Sequence, residues 1–479
     1  MSADPVAQRW ERYRRVLADY RQDHLLRFWP ELSPTDRTAL LDDLDQVDFE
    51  RCAPLVETLV RRRPPVHVPE RIEPPACLPA APSGKLIDRY AEARVCGEQA
   101  IAEGRVAAFT VAGGQGTRLG YDGPKGAFRI TPVRDASLFQ WFAEYLRGVR
   151  RRYGRTAPWY IMTSPSNHTA TVRFFEQHGH FGLDPGQFMF FQQGQMPAFQ
   201  RDGRIAMTAR HRLALSPDGH GGSLSALRKS GALDDMRRRG VEYISYFQVD
   251  NPLVRCVDPV FIGLHVRGGS EMSSKAVAKA HDFEKVGVFA DLDGRLGVLE
   301  YSDLPETLAT ARNPDGTRRF DAGSIAIHVL SRGFVERLTQ PGSGIELGWH
   351  RADKKVAIID ERGQLTEPRE PNVVKLELFV FDAIPLARNP LVLFTRREEE
   401  FSPVKNADGV DSPATARRDL VRRAARWFEA CGLAVPRAPD GEPAVPIEIS
   451  PAVALDAEDL RGRRSELASL DFRAPVLLA

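Results

Sequence analysis

The first stretch of the chain, residues 6–63, is rich in charged residues and carries apolar side chains at helical spacing. Trp10, Tyr13, Val16 and Leu17 follow one another at intervals that keep them on one face of an α-helix. The pattern therefore predicts amphipathic helices, and with them an N-terminal helical region.

From about residue 86 onwards, short apolar runs alternate with longer amphipathic stretches. The apolar runs indicate buried strands, and the amphipathic stretches indicate helices. The predicted strands are residues 106–111, 159–163 and 243–249, and the helices that follow them are residues 138–149, 169–178 and 260–267. This alternation predicts an α/β domain with a mostly parallel sheet, in which ligands bind beyond the carboxyl ends of the strands.

Two later segments, residues 285–300 and 354–365, contain Asp-Gly or Arg-Gly turns between apolar runs. We expect them to be hairpins added to that sheet. Towards the end of the chain, a helical pattern at residues 414–431 is followed by strand-like pieces at 445–449 and 476–478. These elements predict a small C-terminal domain.

Prolines crowd the stretch between residues 63 and 82, where each removes a backbone donor and disfavours helix in the residue before it. We interpret this stretch as an extended linker laid over a surface. The prolines are Pro64, Pro65, Pro69, Pro74, Pro75, Pro79 and Pro82. The predicted domains are therefore a helical region with its linker at residues 1–85, a catalytic domain at 86–395 and a small domain at 396–479.

The composition narrows the class of protein. The chain has 479 residues, of which 42% are hydrophobic and 27% charged, as expected for a soluble globular protein of several domains. Its 66 Lys+Arg and 64 Asp+Glu give a net charge of +2, which does not favour nucleic acid or membranes as partners. Five scattered cysteines and the lack of a long apolar run predict a cytoplasmic protein without a disulfide framework. The histidines show no zinc-site spacing.

The segment that carries chemistry is residues 111–126, which directly follows the first predicted strand and reads VAGGQGTRLGYDGPKG. Its glycines let the backbone turn sharply and present N–H groups to an anion without interference from a Cβ atom. Arg118 and Lys125 add the positive charge that a triphosphate requires. The segment predicts a phosphate-binding loop, and an ordinary strand-to-helix turn is the alternative.

Two familiar nucleotide-binding loops do not fit this spacing. In a Rossmann fingerprint counted from Gly114, Leu119 stands where the third glycine belongs, and no acidic residue ends a strand about 20 positions further on. A Walker A loop has Gly-Lys-Ser/Thr, whereas Lys125 is followed by Gly126. A dinucleotide oxidoreductase is therefore disfavoured.

The glycine-rich segment resembles the nucleotide-binding signature of the eukaryotic-type UDP-sugar pyrophosphorylases, and most closely that of the UDP-N-acetylhexosamine pyrophosphorylases. The resemblance extends from about residue 86 to the C-terminus, because further blocks resemble the family in the same order. These blocks are residues 190–197 (FFQQGQMP), 216–222 (SPDGHGG), 249–254 (VDNPLV), 300–302 (EYS), 320–323 (FDAG), 371–382 (PNVVKLELFVFD) and 400–408 (EFSPVKNAD).

The resemblance implies a Rossmann-like, GT-A-like nucleotidyltransferase fold with a mixed, mostly parallel sheet. It also implies that an oxygen of a sugar 1-phosphate attacks the α-phosphorus of UTP and releases pyrophosphate. Such a reaction needs positioning and charge neutralisation more than a side-chain nucleophile. N-acetylglucosamine 1-phosphate is the expected acceptor. A UDP-glucose or broader UDP-sugar pyrophosphorylase and a non-catalytic sugar-nucleotide-binding protein are the alternatives. We expect a monomer or a weak homo-oligomer.

The same resemblance implies roles for the residues around the phosphates. Those that would hold the phosphates of UTP are Gly113, Gly114, Gly116, Thr117 and Arg118. Lys125 would stabilise the departing pyrophosphate. Asp250 follows the strand predicted at residues 243–249 and is the implied Mg²⁺ ligand, since Mg²⁺ accepts one carboxylate together with phosphates and waters. An aspartate that caps a turn is the alternative for this position.

The blocks that hold uracil and ribose in the family contain Gln193, Gly219, His220 and Gly222. Gln193 offers the donor and the acceptor that the pyrimidine edge demands, although an amide at a turn is the other interpretation. Lys375 and Lys405 correspond to family lysines near the substrate phosphates and would place the sugar phosphate. Without the resemblance, both would be read as solvated surface charges.

The sugar-binding residues implied by the resemblance are Gly287, Glu300 and Asp321. Asp321 and Ser324 stand where the N-acetylhexosamine enzymes carry asparagines. His220 also replaces an asparagine, and a histidine in that turn is more typical of the UDP-glucose branch. These departures leave open which sugar is used, and they leave His220 with a second interpretation as a turn histidine bonded to the backbone.

Overall fold

The computed structural model describes residues 5–63 and 69–479 of the chain. Its helices are α1 (Pro5–Asp19), α2 (Pro34–Asp45), α3 (Phe49–Leu55), α4 (Leu86–Ala102), α5 (Leu138–Tyr153), α6 (His168–Gln177), α7 (Gly222–Lys229), α8 (Ala232–Arg238), α9 (Pro259–Arg267), α10 (Glu306–Ala309), α11 (Arg332–Thr339), α12 (Arg397–Glu400), α13 (Pro413–Ala430), α14 (Ala457–Arg461) and α15 (Arg464–Leu467).

The strands are β1 (Ile72–Glu73), β2 (Cys77–Leu78), β3 (Val106–Val111), β4 (Trp159–Thr163), β5 (Phe188–Gln192), β6 (Gln195–Pro197), β7 (Phe199–Gln200), β8 (Met207–Ala209), β9 (Arg212–Leu213), β10 (Leu215–Pro217), β11 (Tyr243–Gln248), β12 (Met272–Ala278), β13 (Val288–Leu292), β14 (Arg295–Leu299), β15 (Ala322–Ser331), β16 (Trp349–Lys354), β17 (Ile358–Ile359), β18 (Leu365–Thr366), β19 (Val373–Leu378), β20 (Leu391–Phe394), β21 (Ile447–Ile449) and β22 (Val476–Leu478).

Contacts divide the described chain into two compact units, each built from three stretches of sequence. The first unit comprises residues 5–63, 193–225 and 347–380, and the second comprises residues 69–192, 226–346 and 381–479. The three-domain division expected from the sequence stays a prediction.

The second unit is organised around one large sheet. Eleven of the described strands form it, and its main path runs β2-β20-β12-β15-β11-β3-β4-β5. The pairs β11-β3, β3-β4, β4-β5, β12-β20 and β2-β20 are parallel, whereas β15 runs antiparallel to both of its neighbours, β11 and β12. The predicted mixed, mostly parallel α/β sheet is therefore confirmed.

Aromatic packing fixes the parallel part of this sheet. The indole of Trp159 on β4 is 1% exposed and donates a 2.8 Å hydrogen bond to the hydroxyl of Thr110 on β3. The ring of Phe139 on α5 packs edge-on against Phe175 on α6, with 5.0 Å between ring centroids. Every residue of β3 except Val111, and every residue of β4, is buried, and burial on both faces explains why these strands appear in the sequence as continuous apolar runs.

Two sequence expectations near the sheet have different outcomes. The hairpin expected at residues 285–300 is present as β13-β14 and belongs to the large sheet, because β13 also pairs with β15 and with β1. The expectation for residues 354–365 was wrong about its place. There β17 and β18 pair only with each other, within the first unit, since each has only two residues and β18 is exposed.

The proline-rich stretch contributes two short strands rather than only a linker. β1 pairs with β13, and β2 pairs with β20 at the end of the main path. Pro64 and Pro65 lie outside the described residues.

The expected C-terminal elements form a compact cluster within the second unit. β21 and β22 pair in parallel, and the apolar face of α13, including Phe428, packs over them. The buried side chains of the N-terminal helices, such as Leu17 and Leu40, pack with β7 and β19 in the core of the first unit. The predicted N-terminal helices are therefore confirmed.

All five cysteines are free thiols. In the part of the chain that the structure describes, the helices are all too short or too polar to traverse a lipid bilayer.

Candidate active site

The register of the central strands brings three loops to one edge of the large sheet. Val111, the last residue of β3, lies opposite Gln248 of β11 and opposite Met162 of β4. The amide of Val249 donates to the carbonyl of Val111 at 3.1 Å. The residues that follow these strands, including the glycine-rich segment and Asp250, therefore leave the sheet at its carboxyl edge, where α/β proteins bind ligands.

The glycine-rich segment closes into a tight loop of its own. The amide of Gly116 donates to the carbonyl of Gly123 at 2.8 Å, and the amide of Tyr121 donates back to the carbonyl of Gly116 at 3.1 Å. A Cβ atom on Gly116 would lie 2.6 Å from the ring of Tyr121, so only glycine fits there. Gly120 has a φ of +69°, a left-handed conformation that favours glycine. Because its amide closes the loop, Gly116 shapes the turn.

The two preceding glycines have a different environment. In the part of the chain described, the amides of Gly113 and Gly114 have no protein acceptor. The carbonyl of Gly114 accepts from the amide of Lys125 at 3.1 Å. Backbone N–H groups left open at a turn after a parallel strand can bind an anion.

The side chain of Asn167 supports the glycine-rich loop through hydrogen bonds. The sequence analysis did not identify this residue. The side chain is 1% exposed, and its Nδ2 donates to the carbonyls of Ala112 and Gly114 at 3.0 and 3.1 Å. Its Oδ1 accepts from the amide of Ser164 at 2.8 Å. The one signal in the sequence is a polar residue between β4 and α6.

Lys125 and Asp250 meet at the same edge. The Lys125 Nζ lies 4.0 Å from the Asp250 Oδ2, and the two side chains are 16% and 13% exposed. The Lys125 chain passes over the loop, since its Cε would lie 3.9 Å from a Cβ atom on Gly114. The structure thus places a cation above the open amides and a carboxylate beside it, which is an arrangement suited to a phosphate and its metal.

Thr117 and Arg118 lie further along the loop, in the short 3₁₀ turn Thr117–Leu119. Both are exposed, and among the described residues no carboxylate pairs with Arg118. The structure therefore shows Arg118 on the same loop as Lys125, free to approach an anionic ligand, without bringing the two side chains into contact.

Lys405 reaches the same edge through its own backbone segment. The amide of Val404 donates to the carbonyl of Asp250 at 2.8 Å, and the amide of Lys405 donates to the carbonyl of Asp411 at 2.6 Å. Burial raises the pKa of Asp411; the ammonium of Lys405 opposes this rise, and the carboxylates of Glu284 and Asp250 add to it. Asp411 is therefore a second acidic side chain near Asp250, and no sequence motif pointed to it.

The three residues predicted for the sugar lie together around β13, β14 and β15. A Cβ atom on Gly287 would lie 3.0 Å from the Glu300 Oε1, so glycine leaves room for this carboxylate. The amide of Ser324 donates to the carbonyl of Gly287 at 2.7 Å. The carboxylate of Asp321 accepts from the amide of Lys279 at 3.1 Å and lies 3.6 Å from Arg318.

In the first unit, residues 216–222, which are predicted to hold uracil and ribose, pack against residues 371–382, another predicted block. The amide of Leu378 donates to the carbonyl of Asp218 at 2.8 Å, and the amide of Gly221 donates to the carbonyl of Leu378 at 2.8 Å. A Cβ atom on Gly219 would lie 2.4 Å from that carbonyl oxygen, and one on Gly222 would lie 2.1 Å from the Asp218 carboxylate. Gly219 allows the close approach of the two segments, and Gly222 leaves room for the Asp218 carboxylate.

Two more predicted side chains lie near these segments in the first unit. Gln193 is 8% exposed and precedes Gly194, whose carbonyl accepts from the amide of Asp218 at 3.2 Å. Lys375 lies on β19, where burial lowers the pKa of its ammonium and Glu377 opposes that shift.

His220 is held by the backbone of the first unit. Its Nδ1 accepts from the amide of Val380 at 3.1 Å, and its ring stacks on Phe379 with 5.2 Å between centroids. Burial, with a smaller effect of His350, lowers the pKa of His220 to about 4. The ring is therefore neutral near pH 7, and the turn histidine bonded to the backbone is the interpretation that matches its geometry.

No group of three or more His, Cys, Asp or Glu side chains suited to a metal ion occurs within the residues described. A single carboxylate at the phosphate loop, as Asp250 provides, is typical of Mg²⁺ bound together with substrate phosphates.

The sequence pattern of the UTP–glucose-1-phosphate uridylyltransferase family matches residues 78–413, well over half of the chain. The chain belongs to this family. Within it, the chain is 39% identical to the human UDP-N-acetylhexosamine pyrophosphorylase-like protein 1, over 95% of this chain and 94% of that protein. It is 35% identical to the UDP-N-acetylglucosamine pyrophosphorylase of Saccharomyces cerevisiae, over 92% and 94% of the two chains.

A solved structure of the same family has the same fold. The crystal structure of the uridine diphosphate N-acetylglucosamine pyrophosphorylase from Trypanosoma brucei, in complex with an inhibitor, matches with a TM-score of 0.81 and 26% identity, over 98% of each chain. The predicted nucleotidyltransferase fold and the resemblance to UDP-N-acetylhexosamine pyrophosphorylases are therefore confirmed.

Proposed function

We propose that this protein is a uridylyltransferase that makes a UDP-N-acetylhexosamine and pyrophosphate from UTP and an N-acetylhexosamine 1-phosphate. N-acetylglucosamine 1-phosphate is the expected acceptor, because related chains that carry this activity in their names align along nearly their whole length. The observation that carries the proposal in the structure is the approach of Lys125 to Asp250 beside the open amides of Gly113 and Gly114.

The reaction exchanges one phosphoanhydride for another. A phosphate oxygen of the sugar 1-phosphate forms a bond to the α-phosphorus of UTP, and the bond from that phosphorus to the oxygen bridging to the β-phosphorus breaks. The electron pair leaves with pyrophosphate. Since negative charge builds up on the leaving group, groups that neutralise it lower the barrier, and no protein nucleophile is needed.

The residues of the carboxyl edge supply that neutralisation. The amides of Gly113 and Gly114 would bind phosphate oxygens, with Thr117 beside them and Gly116 maintaining the turn. Lys125 would stabilise the charge of the departing pyrophosphate. Arg118, exposed on the same loop, would close on the triphosphate when it binds.

Asp250 would hold a Mg²⁺ ion, which when bound draws charge from the triphosphate. The fit is chemical: one carboxylate, little exposed, stands at the phosphate loop, and Mg²⁺ takes one or two carboxylates with phosphate oxygens and water. Asp411, whose backbone carbonyl accepts from the amide of Lys405, is a second acidic residue on the segment bonded to Asp250. Lys405, on the segment bonded to Asp250, would orient the sugar phosphate.

The remaining assignments follow the sequence resemblance. Gly287 and Glu300 would receive the sugar. Asp321 and His220 depart from the N-acetylhexosamine pattern, yet both already have protein partners, which supports a structural role for them. Gln193, with Gly219 and Gly222, would recognise the uracil and ribose, and Lys375 would meet a phosphate.

The test is release of pyrophosphate from UTP across a panel of sugar 1-phosphates, with ATP, CTP and GTP as nucleotide controls. We expect Mg²⁺-dependent turnover with UTP and the highest kcat/KM for N-acetylglucosamine 1-phosphate. A site built to hydrogen-bond an acyl amine should reject glucose 1-phosphate by about 10⁴-fold or more when its buried groups are left unpaired. A higher kcat/KM for glucose 1-phosphate would move the enzyme to the UDP-glucose activity. Tight UDP-sugar binding without turnover would indicate a binding protein.

A further inference from the structure

The second unit contains a buried cluster of charged side chains that is linked to the loop carrying Asp250. The side chain of Lys275, on β12, is fully buried, and its ammonium sits between two carboxylates. It donates to the Asp258 Oδ2 at 2.6 Å and to the Glu400 Oε2. None of these three side chains belongs to the set assigned above to substrates.

The cluster is balanced in charge and ties several elements together. The Glu400 Oε1 accepts from the hydroxyl of Thr395 at 2.9 Å and lies 3.8 Å from the guanidinium of Arg255. Burial opposes ionisation of Asp258, but the charges of Lys275 and Arg255 prevail and lower the pKa of its carboxyl group. The buried ammonium of Lys275 and the partly exposed guanidinium of Arg255 thus compensate the two buried carboxylates, as a buried charged group requires.

Asn251 joins this cluster to the loop that carries Asp250. Asn251 is 4% exposed, its Nδ2 donates to the carbonyl of Glu400 at 2.7 Å, and its Oδ1 accepts from the amide of Ser402 at 3.1 Å. The carbonyl of Asp250 accepts from the amide of Val404. The loop after β11 and the segment leading to Lys405 are therefore joined by three hydrogen bonds, although neither is part of a sheet.

We propose that Lys275, Glu400 and Asn251 are positioning residues that fix the Asp250 carboxylate and the Lys405 segment relative to each other. Lys275 anchors Glu400 to the sheet, Glu400 begins the segment that ends at Lys405, and Asn251 binds that segment to the neighbour of Asp250. A buried ion pair adds little net stability. Because its hydrogen bonds fix the distance and direction between the paired side chains, its contribution here is to hold those side chains in position. Only the kinetic consequence of this inference rests on the proposed function.

The experiment compares Glu400→Gln with Glu448→Gln in the full-length protein. Glu448 is an equally buried carboxylate on β21, bonded to Arg134 at 2.7 Å, and among the described residues its side chain makes no hydrogen bond to residues 249–254 or 400–405. Both changes remove one buried negative charge and keep the side-chain shape. Any difference between the two variants therefore reports on the position of the carboxylate rather than on its burial.

The first measurement is hydrogen–deuterium exchange in the ligand-free protein, which does not depend on activity. Glu400→Gln should speed exchange in peptides covering residues 249–254 and 400–405 by about 10- to 100-fold, the factor for losing one charge-assisted hydrogen bond. Glu448→Gln should leave those peptides at wild-type rates.

The second measurement is the Mg²⁺ concentration that gives half-maximal turnover. Glu400→Gln should raise it about 10- to 100-fold, as loss of a partner behind a metal ligand does, while Glu448→Gln keeps the wild-type value. If Glu400→Gln does not fold, Thr395→Val, which removes one hydroxyl bond to Glu400, replaces it. Ser450→Ala, which removes a 2.6 Å hydroxyl bond to Glu144, is then the matched control.

Unchanged exchange at residues 249–254 and 400–405 would overturn the inference, and so would faster exchange with an unchanged Mg²⁺ response. If the wild-type protein turned over no sugar 1-phosphate, the proposed function would fail instead. The exchange data would then still decide whether the cluster holds these two segments.

Discussion

The ammonium of Lys125 lies 4.0 Å from the carboxylate of Asp250, at the edge where β3 and β11 end side by side. This separation is too long for a tight hydrogen bond. The Lys125 side chain also lies close to Gly114, whose amide is open. The Lys125 ammonium is therefore placed to bind a phosphate oxygen directly, whereas the Asp250 carboxylate would meet the same phosphates through a cation, and we expect the ligand to be the triphosphate of UTP.

Replacing Lys125 by alanine should lower kcat with little effect on folding, because the charge acts on the developing pyrophosphate. Removal of one such electrostatic donor costs about 10²- to 10³-fold in kcat. Steady-state pyrophosphate release measures the change. Lys85→Ala, at an exposed lysine before α4, is the control and should keep the wild-type rate. An unchanged kcat in Lys125→Ala would reassign the leaving-group role.

Asp250→Asn should abolish most of the Mg²⁺ response of turnover, since a neutral amide is a poor ligand for a hard cation. The comparison is Asp88→Asn, which changes an exposed aspartate on α4 in the same way and should retain the response. Titration of Mg²⁺ at fixed UTP separates the two variants. Equal responses in both would show that another group holds the metal.

Asn167→Ala should loosen the phosphate loop without touching the substrate directly. The buried carbonyl of Ala112, the buried amide of Ser164 and the partly exposed carbonyl of Gly114 lose their partner, and each buried group left unsatisfied costs about 1–3 kcal/mol. We expect a higher KM for UTP, a lower kcat and a lower melting temperature. Asn167→Asp keeps the acceptor for Ser164 but loses both donors, so it should show the same kinetic defect. Wild-type kinetics in Asn167→Asp would show that the loop does not depend on the hydrogen bonds from the Asn167 amide.

Buried His265 predicts a pH dependence of stability. It is 0% exposed, lies between the hydroxyls of Ser273 and Ser331 at 2.8 and 3.0 Å, and burial lowers its pKa to about 3. A histidine in the unfolded chain titrates near pH 6.5. The unfolded state therefore takes up the proton first as the pH falls, and stability decreases below about pH 6.5 by up to about 1.4 kcal/mol per pH unit.

The variant that checks this prediction is His265→Gln, with thermal unfolding followed from about pH 7.5 to 4.5. The melting temperature of the variant should fall less steeply with decreasing pH than that of the wild type. His178→Gln, at an exposed position, should keep the wild-type slope. Parallel slopes for wild type and His265→Gln would show that this histidine is not the group that titrates.

Much of the fold could be predicted because strands buried on both faces read as unbroken apolar runs. The runs at residues 106–111, 159–163 and 243–249 coincide with β3, β4 and β11 to within a residue. Strand order could not be predicted, since the antiparallel β15 inserts between β11 and β12 through non-local pairing. The short pair β17-β18 was misplaced because its turn signal says nothing about which sheet it joins.

The sequence predicted those site residues whose type and position along the chain indicate their chemistry directly. Lys125 lies in a glycine-rich loop after a strand, and Asp250 lies directly after another, so parallel register brings both to one edge. Asn167 and Asp411 escaped detection because their partners are backbone groups or charges supplied by distant segments. A buried amide bonded to carbonyls leaves no motif, and only the folded chain shows it.

The most direct test of the account follows each phosphorus of UTP. The protein is incubated with Mg²⁺, N-acetylglucosamine 1-phosphate and UTP labelled at either the α- or the γ-phosphorus, and the products are separated. We predict that the α label appears in the UDP-sugar and the γ label in pyrophosphate. Transfer of the γ label to the sugar phosphate, or failure of the α label to reach any sugar nucleotide, would contradict the account.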